Sequence, residues 1–153
     1  GHGFPVAVGL ALAAKKSQSR RRIFLITGDG ELAEGSNWEA ALAAAHYGLD
    51  NLVIINDKNN LQLAGPTREI MNTDPLAEKW LAFGMQVTEC QGNDMASVVA
   101  TLEELKQEGK PNVVIAHTTK GAGISFIQGR AEWHHRVPKG DEIEQALEEL
   151  KDA

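Results

Sequence analysis

Between Ile23 and Gly65 two short apolar runs, each closed by a polar turn, flank one alanine-rich segment. Ile23 to Thr27 is apolar and β-branched at its end, and Gly28 closes it, which suits a buried parallel strand. Leu52 to Ile55 repeats that pattern ahead of Asn56. Trp38 to Tyr47 is strongly helix-favouring. Ser36 and Glu39 have the spacing of a capping box, and Gly48 sits where a C-terminal cap would. The stretch predicts one βαβ unit with a right-handed crossover. Its two polar turns then leave the carboxyl ends of neighbouring strands, where open α/β sheets bind ligands. Asp29 and Asn59 are thereby expected to face one crevice. An acid, an amide oxygen and nearby carbonyls are hard oxygen donors that suit Mg²⁺ shared with phosphate oxygens. Gly28 and Gly30 allow close backbone approach to those phosphates.

Two other readings of the first turn compete. Gly28-x-Gly30-x-x-Ala33 matches the loose dinucleotide fingerprint, with Asp50 about 20 residues on. Its middle residue is an aspartate, which would repel a pyrophosphate unless a cation stood between them. The turn could also be an ordinary strand-to-helix connection.

The rest of the chain extends the α/β pattern. Helices are expected from Pro5 to Lys16, Pro75 to Phe83, Met95 to Glu108 and Asp141 to Leu150. Strands are expected over Met85 to Glu89 and Val113 to His117, and Gly65 to Asp74 reads as a loop. Val98, Val99, Leu102 and Leu105 would form one helical face. Ile143, Ala146, Leu147 and Leu150 would form an apolar stripe that packs on this domain or on a partner. His46 and Tyr47 read as packing residues. Thr118 to Gly123 is another glycine turn after a strand and should open onto the same crevice. The alternation predicts an α/β fold, a mainly parallel sheet flanked by helices, in one domain of 153 residues.

A net charge of −6 argues against sequence-independent nucleic-acid binding. Arg20 to Arg22, with Lys15 and Lys16, reads as a solvated basic face. Cys90 is the single cysteine, so no intrachain disulfide forms, which fits a cytoplasmic setting. The apolar stretch Val6 to Ala14 is too short to span a bilayer, so no membrane partner is expected.

GDGELAEGSNWEA followed by NDKNNLQLAG resembles the thiamine diphosphate (ThDP) signature, and among such enzymes it looks most like transketolase. GHGFPVAVGLALA before it, and HTTKGAGISF and WHHRVP after it, agree, so the resemblance runs from Gly1 to about Asp141. It implies a ThDP-binding (diphosphate-domain) fold with ThDP and Mg²⁺ as cofactors. Carried over position by position, Asp29, the Asn59 side-chain oxygen and the Leu61 carbonyl would hold the metal. Gly1, Gly3, Gly28 and Gly30 would line the diphosphate, with Gly30 giving a backbone donor. His2 is either a loop histidine or part of that lining. Glu34 and Glu39 would lie at a dimer contact in a proton-relay network. One histidine of His134 and His135 would face the site: spacing from Pro138 favours His135, adjacency to Trp133 favours His134. A paired-histidine transition-metal site has no third ligand close in sequence.

In this family the cofactor's own aminopyrimidine generates a carbanion, and the protein supplies binding and orientation. The resemblance implies a single diphosphate-binding domain over 1–153, incomplete at its N-terminus and without a pyrimidine-binding domain. It would act with a pyrimidine-domain chain, as the N-terminal subunit of a split transketolase, in a dimer or heterotetramer on sugar or sugar-phosphate substrates. Another ThDP class, 1-deoxyxylulose-phosphate-synthase-like or 2-oxoacid-dehydrogenase-like, and a non-catalytic remnant are the alternatives.

Overall fold

A computed structural model describes residues 1–63 and 65–151. Ala64, inside the quoted signature, and the last two residues lie outside them. Four parallel strands form the sheet in the order β1 (Ile23–Gly28), β2 (Leu52–Lys58), β6 (Asn112–His117), β5 (Gln86–Gln91). A small antiparallel pair, β3 (Leu61–Gln62) and β4 (Gly65–Pro66), follows β2 and leads into a one-turn helix, α3 (Thr67–Ile70). These occupy most of the stretch expected as loop.

Helices α1 (Gly3–Lys16), α2 (Gly35–His46) and α4 (Leu76–Ala82) cover one sheet face. Their core joins Phe4, Ala11, Ala41, Ala44 and Trp80 to Leu52, Ile54, Val113 and Ile115. The alanines bring α1 and α2 close to the sheet, and Trp38, Trp80, Phe83 and Phe4 fill the space beyond them as tilted and edge-on rings. Helix α5 (Met95–Glu104) covers the other face through Val98, Leu102 and Leu105, which pack on Val53, Val114, Ala116 and Cys90. A last helix, α6 (Asp141–Glu149), closes the described chain.

Several expectations need correction. Helix α2 starts at Gly35 with Glu34 as its cap residue, so Ser36 lies inside the helix. The Ser36 hydroxyl donates instead to the Gly1 carbonyl at 2.8 Å, and the capping box is not made. Gly48 does end the helix, at φ +55°: its N–H reaches Ala45 O and that of Leu49 reaches Ala44 O, both at 3.0 Å. His46 and Tyr47 are exposed, with their rings edge-on to each other. Val99 is exposed, because α5 turns it away from the stripe that its neighbours form, and α5 ends four residues early. On β1, Phe24 and Ile26 are 52% and 71% exposed. The strand is at the sheet edge, beyond the reach of α5, so it is buried on one face only. Arg22 is not freely solvated, since its guanidinium lies 5.1 Å from the Phe24 ring. Of the α6 stripe only Ala146 is buried; Ile143, Leu147 and Leu150 are exposed.

Candidate functional site

The carboxyl ends of β1, β2 and β6 lie side by side, because Gly28 is in register with Asp57 and Asp57 with Ala116. Three polar turns therefore converge. The Asp29 N–H donates to the Asp57 carbonyl at 3.1 Å, and the Asp29 carboxylate accepts the Asn60 N–H at 2.6 Å. Asp29 thus does not cap its own turn; it reaches across to the next one. Asn60 adopts φ +61°, a left-handed conformation that asparagine tolerates, and this folds the chain back so that Asn59 faces the cleft. The Asn59 amide oxygen accepts the Leu61 N–H at 3.0 Å.

Together they form an open cleft of about 320 Å³. Gly28, Asp29, Gly30, Asn59 and Leu61 line it, as expected, with His134 and Lys120 from the far side. His134 is therefore the histidine that reaches the cleft. It stands on a short 3₁₀ turn, Ala131–His134, pinned by buried Trp133. That ring packs edge-on against Phe126 at 5.3 Å and lies under the Arg136 guanidinium at 4.1 Å. His135 stacks edge-on against His134 but does not line the cleft. Gly1, Gly3, Glu34 and Glu39 do not line it either. Gly1 packs on Glu34 and Ser36, Gly3 against Leu25, and both glutamates are exposed.

Electrostatics set the cleft's chemistry. Asp29 is 2% exposed, and that burial pushes its carboxyl above the usual range. The Asn60 and Gly30 N–H groups and Lys58 pull it back, while the charge of Asp57 adds to the rise. A cation at this carboxylate would offset the desolvation. Slight burial, then Lys120 and His135, hold His134 below the ordinary imidazole range.

The dinucleotide reading fails on position. Asp50 lies at the amino ends of the strands, where it pairs with Lys15 at 3.2 Å and accepts the Gly109 N–H at 3.1 Å. Lys120, Asp57, Glu31 and Gln62 are cleft residues to which the sequence reading gave no role. A signal existed for two of them: Lys120 opens a glycine turn after a strand, and Asp57 shares a strand face with Asn59 by the period of two.

Residues 1–151 match the family model described as transketolase, thiamine diphosphate binding domain. The chain belongs to that family. An apulose-4-phosphate transketolase subunit of Actinobacillus succinogenes is 74% identical over 152 residues, 99% of this chain and 55% of that protein. The subunit of the same name from Phocaeicola vulgatus is 42% identical, over 99% of this chain and 54% of that protein. The chain thus spans about half the length of these curated relatives. The crystal structure of transketolase from Campylobacter jejuni superposes with a TM-score of 0.88 at 33% identity, over 97% of this chain and 24% of that one. Membership in the family makes the cleft the place to test for ThDP.

The residues present fit that group. A Cβ at Gly28 would meet no protein atom within 4 Å, so packing does not demand glycine there and the space above it is free. Gln62 Oε1 is buried without a partner. Among the described residues no three His, Cys, Asp or Glu side chains cluster as a metal cage. One buried carboxylate, one amide and adjacent carbonyls are what a cation needs when phosphate and water complete its shell.

Proposed function

We propose that this chain is the diphosphate- and Mg²⁺-binding part of a transketolase-like transferase. It acts with a separate pyrimidine-domain chain to move a two-carbon ketol unit from a ketose to an aldose. The observation that carries this reading is the convergence of Asp29, Asn59, Lys120 and His134 on one cleft in a member of the ThDP-binding family. Asp29, the Asn59 oxygen and the Leu61 carbonyl hold Mg²⁺, and Gly30 donates its N–H to the diphosphate. Lys120 adds positive charge on the opposite wall. When bound, ThDP supplies the nucleophilic carbon that a polypeptide lacks.

The His134 imidazole can accept a proton from a substrate hydroxyl and, once protonated, return it to a substrate oxygen on the open side of the cleft. Glu34 and Glu39 meet the partner chain, a role supported by their exposure. The donor is a phosphorylated ketose, as the names of the two apulose-4-phosphate relatives support.

The test is to assemble the chain with its pyrimidine-domain partner and titrate ThDP by calorimetry with and without Mg²⁺. Ketol transfer from ketose phosphates is then assayed. Binding that requires both Mg²⁺ and the partner is expected. A complex that forms yet binds no ThDP with Mg²⁺ present would defeat the reading.

A further inference from the structure

We propose that Asp57 is a positioning residue that fixes which end of the Asn59 amide faces the cleft. It does so by tying the β2 and β6 turns to one carboxylate, while its backbone carbonyl holds the β1 turn. This rests on the metal and diphosphate reading above.

Asp57 is on the middle of three adjacent strands, and each neighbour makes a different bond to it. Its carbonyl accepts the Asp29 N–H at 3.1 Å. Its carboxylate oxygens divide the remaining work: Oδ2 accepts the Asn59 Nδ2–H at 3.4 Å, and Oδ1 accepts the Thr118 hydroxyl. Thr118 is itself held on β2, since its N–H donates to Lys58 O at 3.1 Å.

An ionised carboxylate only accepts, so it selects the NH₂ end of an amide and refuses the oxygen end. Asn59 is thereby oriented with Nδ2 toward Asp57 and Oδ1 away from it. The oxygen already accepts the Leu61 N–H and keeps a lone pair for a cation. Without the acid at Asp57, the Leu61 N–H alone would hold the Asn59 amide in that orientation, and an NH₂ group turned toward the cleft repels a metal ion. Partners one bond behind a ligand typically change metal affinity about 10- to 100-fold when removed. Thr118 extends the control to the third turn, two residues before Lys120.

The assembled two-chain complex tests this, with ThDP binding followed across a Mg²⁺ titration. Asp57→Asn keeps the shape and can still accept from Thr118, but it no longer selects the amide end. Its half-saturating Mg²⁺ concentration should rise about 10- to 100-fold, with ThDP affinity recovering toward wild type at saturating Mg²⁺. Thr118→Val should move the same midpoint less, and Thr118→Ser should restore it. An unchanged Mg²⁺ midpoint in Asp57→Asn overturns the proposal. So does ThDP binding weakened equally at every Mg²⁺ concentration, since a plain loop staple would give that. Asp29→Ala in parallel separates the two levels. If wild type binds ThDP only with Mg²⁺ and Asp29→Ala abolishes this while Asp57→Asn matches wild type, only the positioning role fails. If wild type shows no Mg²⁺-dependent binding, both fall.

Discussion

At Asp29 two demands oppose each other: burial disfavours its charge, and cation binding needs that charge. Its folded-state pKa is raised, so in the metal-free protein the folded state holds the proton more tightly than the unfolded chain does. Stability therefore falls as pH rises from the ordinary carboxylate range through the raised value. Asp29→Asn removes this cost and can still accept the Asn60 N–H. It should raise the thermal midpoint of the metal-free protein at pH 7 and flatten that pH dependence. In the assembled complex, added ThDP and Mg²⁺ should stabilise wild type and leave the variant unmoved. A lower midpoint in the variant would show that the turn needs the charge itself. His134 is held low in part by the Lys120 charge. Lys120→Met should let the His134 imidazole titrate at higher pH, read from its ring resonances by NMR. No movement would mean that Lys120 does not act on it.

At the scale of elements, Gly48 shows why some sequence signals were readable. A glycine after an alanine-rich helix marks a left-handed C-cap, and the bonds of Gly48 and Leu49 make that motif. Gly48→Ala forces a side chain into left-handed backbone, about 1–2 kcal/mol, and sets its Cβ 2.9 Å from the Gly109 carbonyl oxygen. The unfolding free energy should fall by at least that amount, read as a lower denaturant midpoint with an unchanged slope. Asp50 joins α1 to the Gly109 turn at the same end of the sheet. Burial raises its pKa, but the Gly109 N–H and Lys15 outweigh it and the net value is lowered. Its contribution is present above the ordinary carboxylate pKa and disappears as pH falls through the lowered one. Asp50→Ala should cost about 1 kcal/mol near neutral pH and little in acid, measured by urea unfolding at several pH values. The strands and the two signature turns were legible because period and turn chemistry are local. The capping box was not, because Ser36 is taken by the Gly1 carbonyl, a contact across 35 positions. The choice between His134 and His135 was equally hidden: Trp133, Phe126 and Arg136 settle it by packing.

At the scale of the whole molecule, several large apolar side chains stand exposed on neighbouring elements. Phe24 and Ile26 on β1, Val6 and Leu10 on α1 and Leu42 on α2 are all more than half exposed. No period in the sequence could reveal this, because Leu42 keeps the same helical spacing whether its face is covered or bare. Leu42 is three positions from Glu39, so the two share one face of α2 with exposed His46. If that face meets the pyrimidine-domain chain, Leu42→Glu adds a charge inside an apolar contact and should weaken association at least 10-fold, about 1.4 kcal/mol. Glu39→Gln keeps the shape and removes the charge, so it should leave association nearly intact and lower ketol transfer instead. Sedimentation of the mixed chains reads the first effect, and turnover of the assembled complex reads the second. Should Leu42→Glu sediment with its partner as wild type does, the contact lies elsewhere, and the bare face over Phe24 and Ile26 is the next surface to substitute.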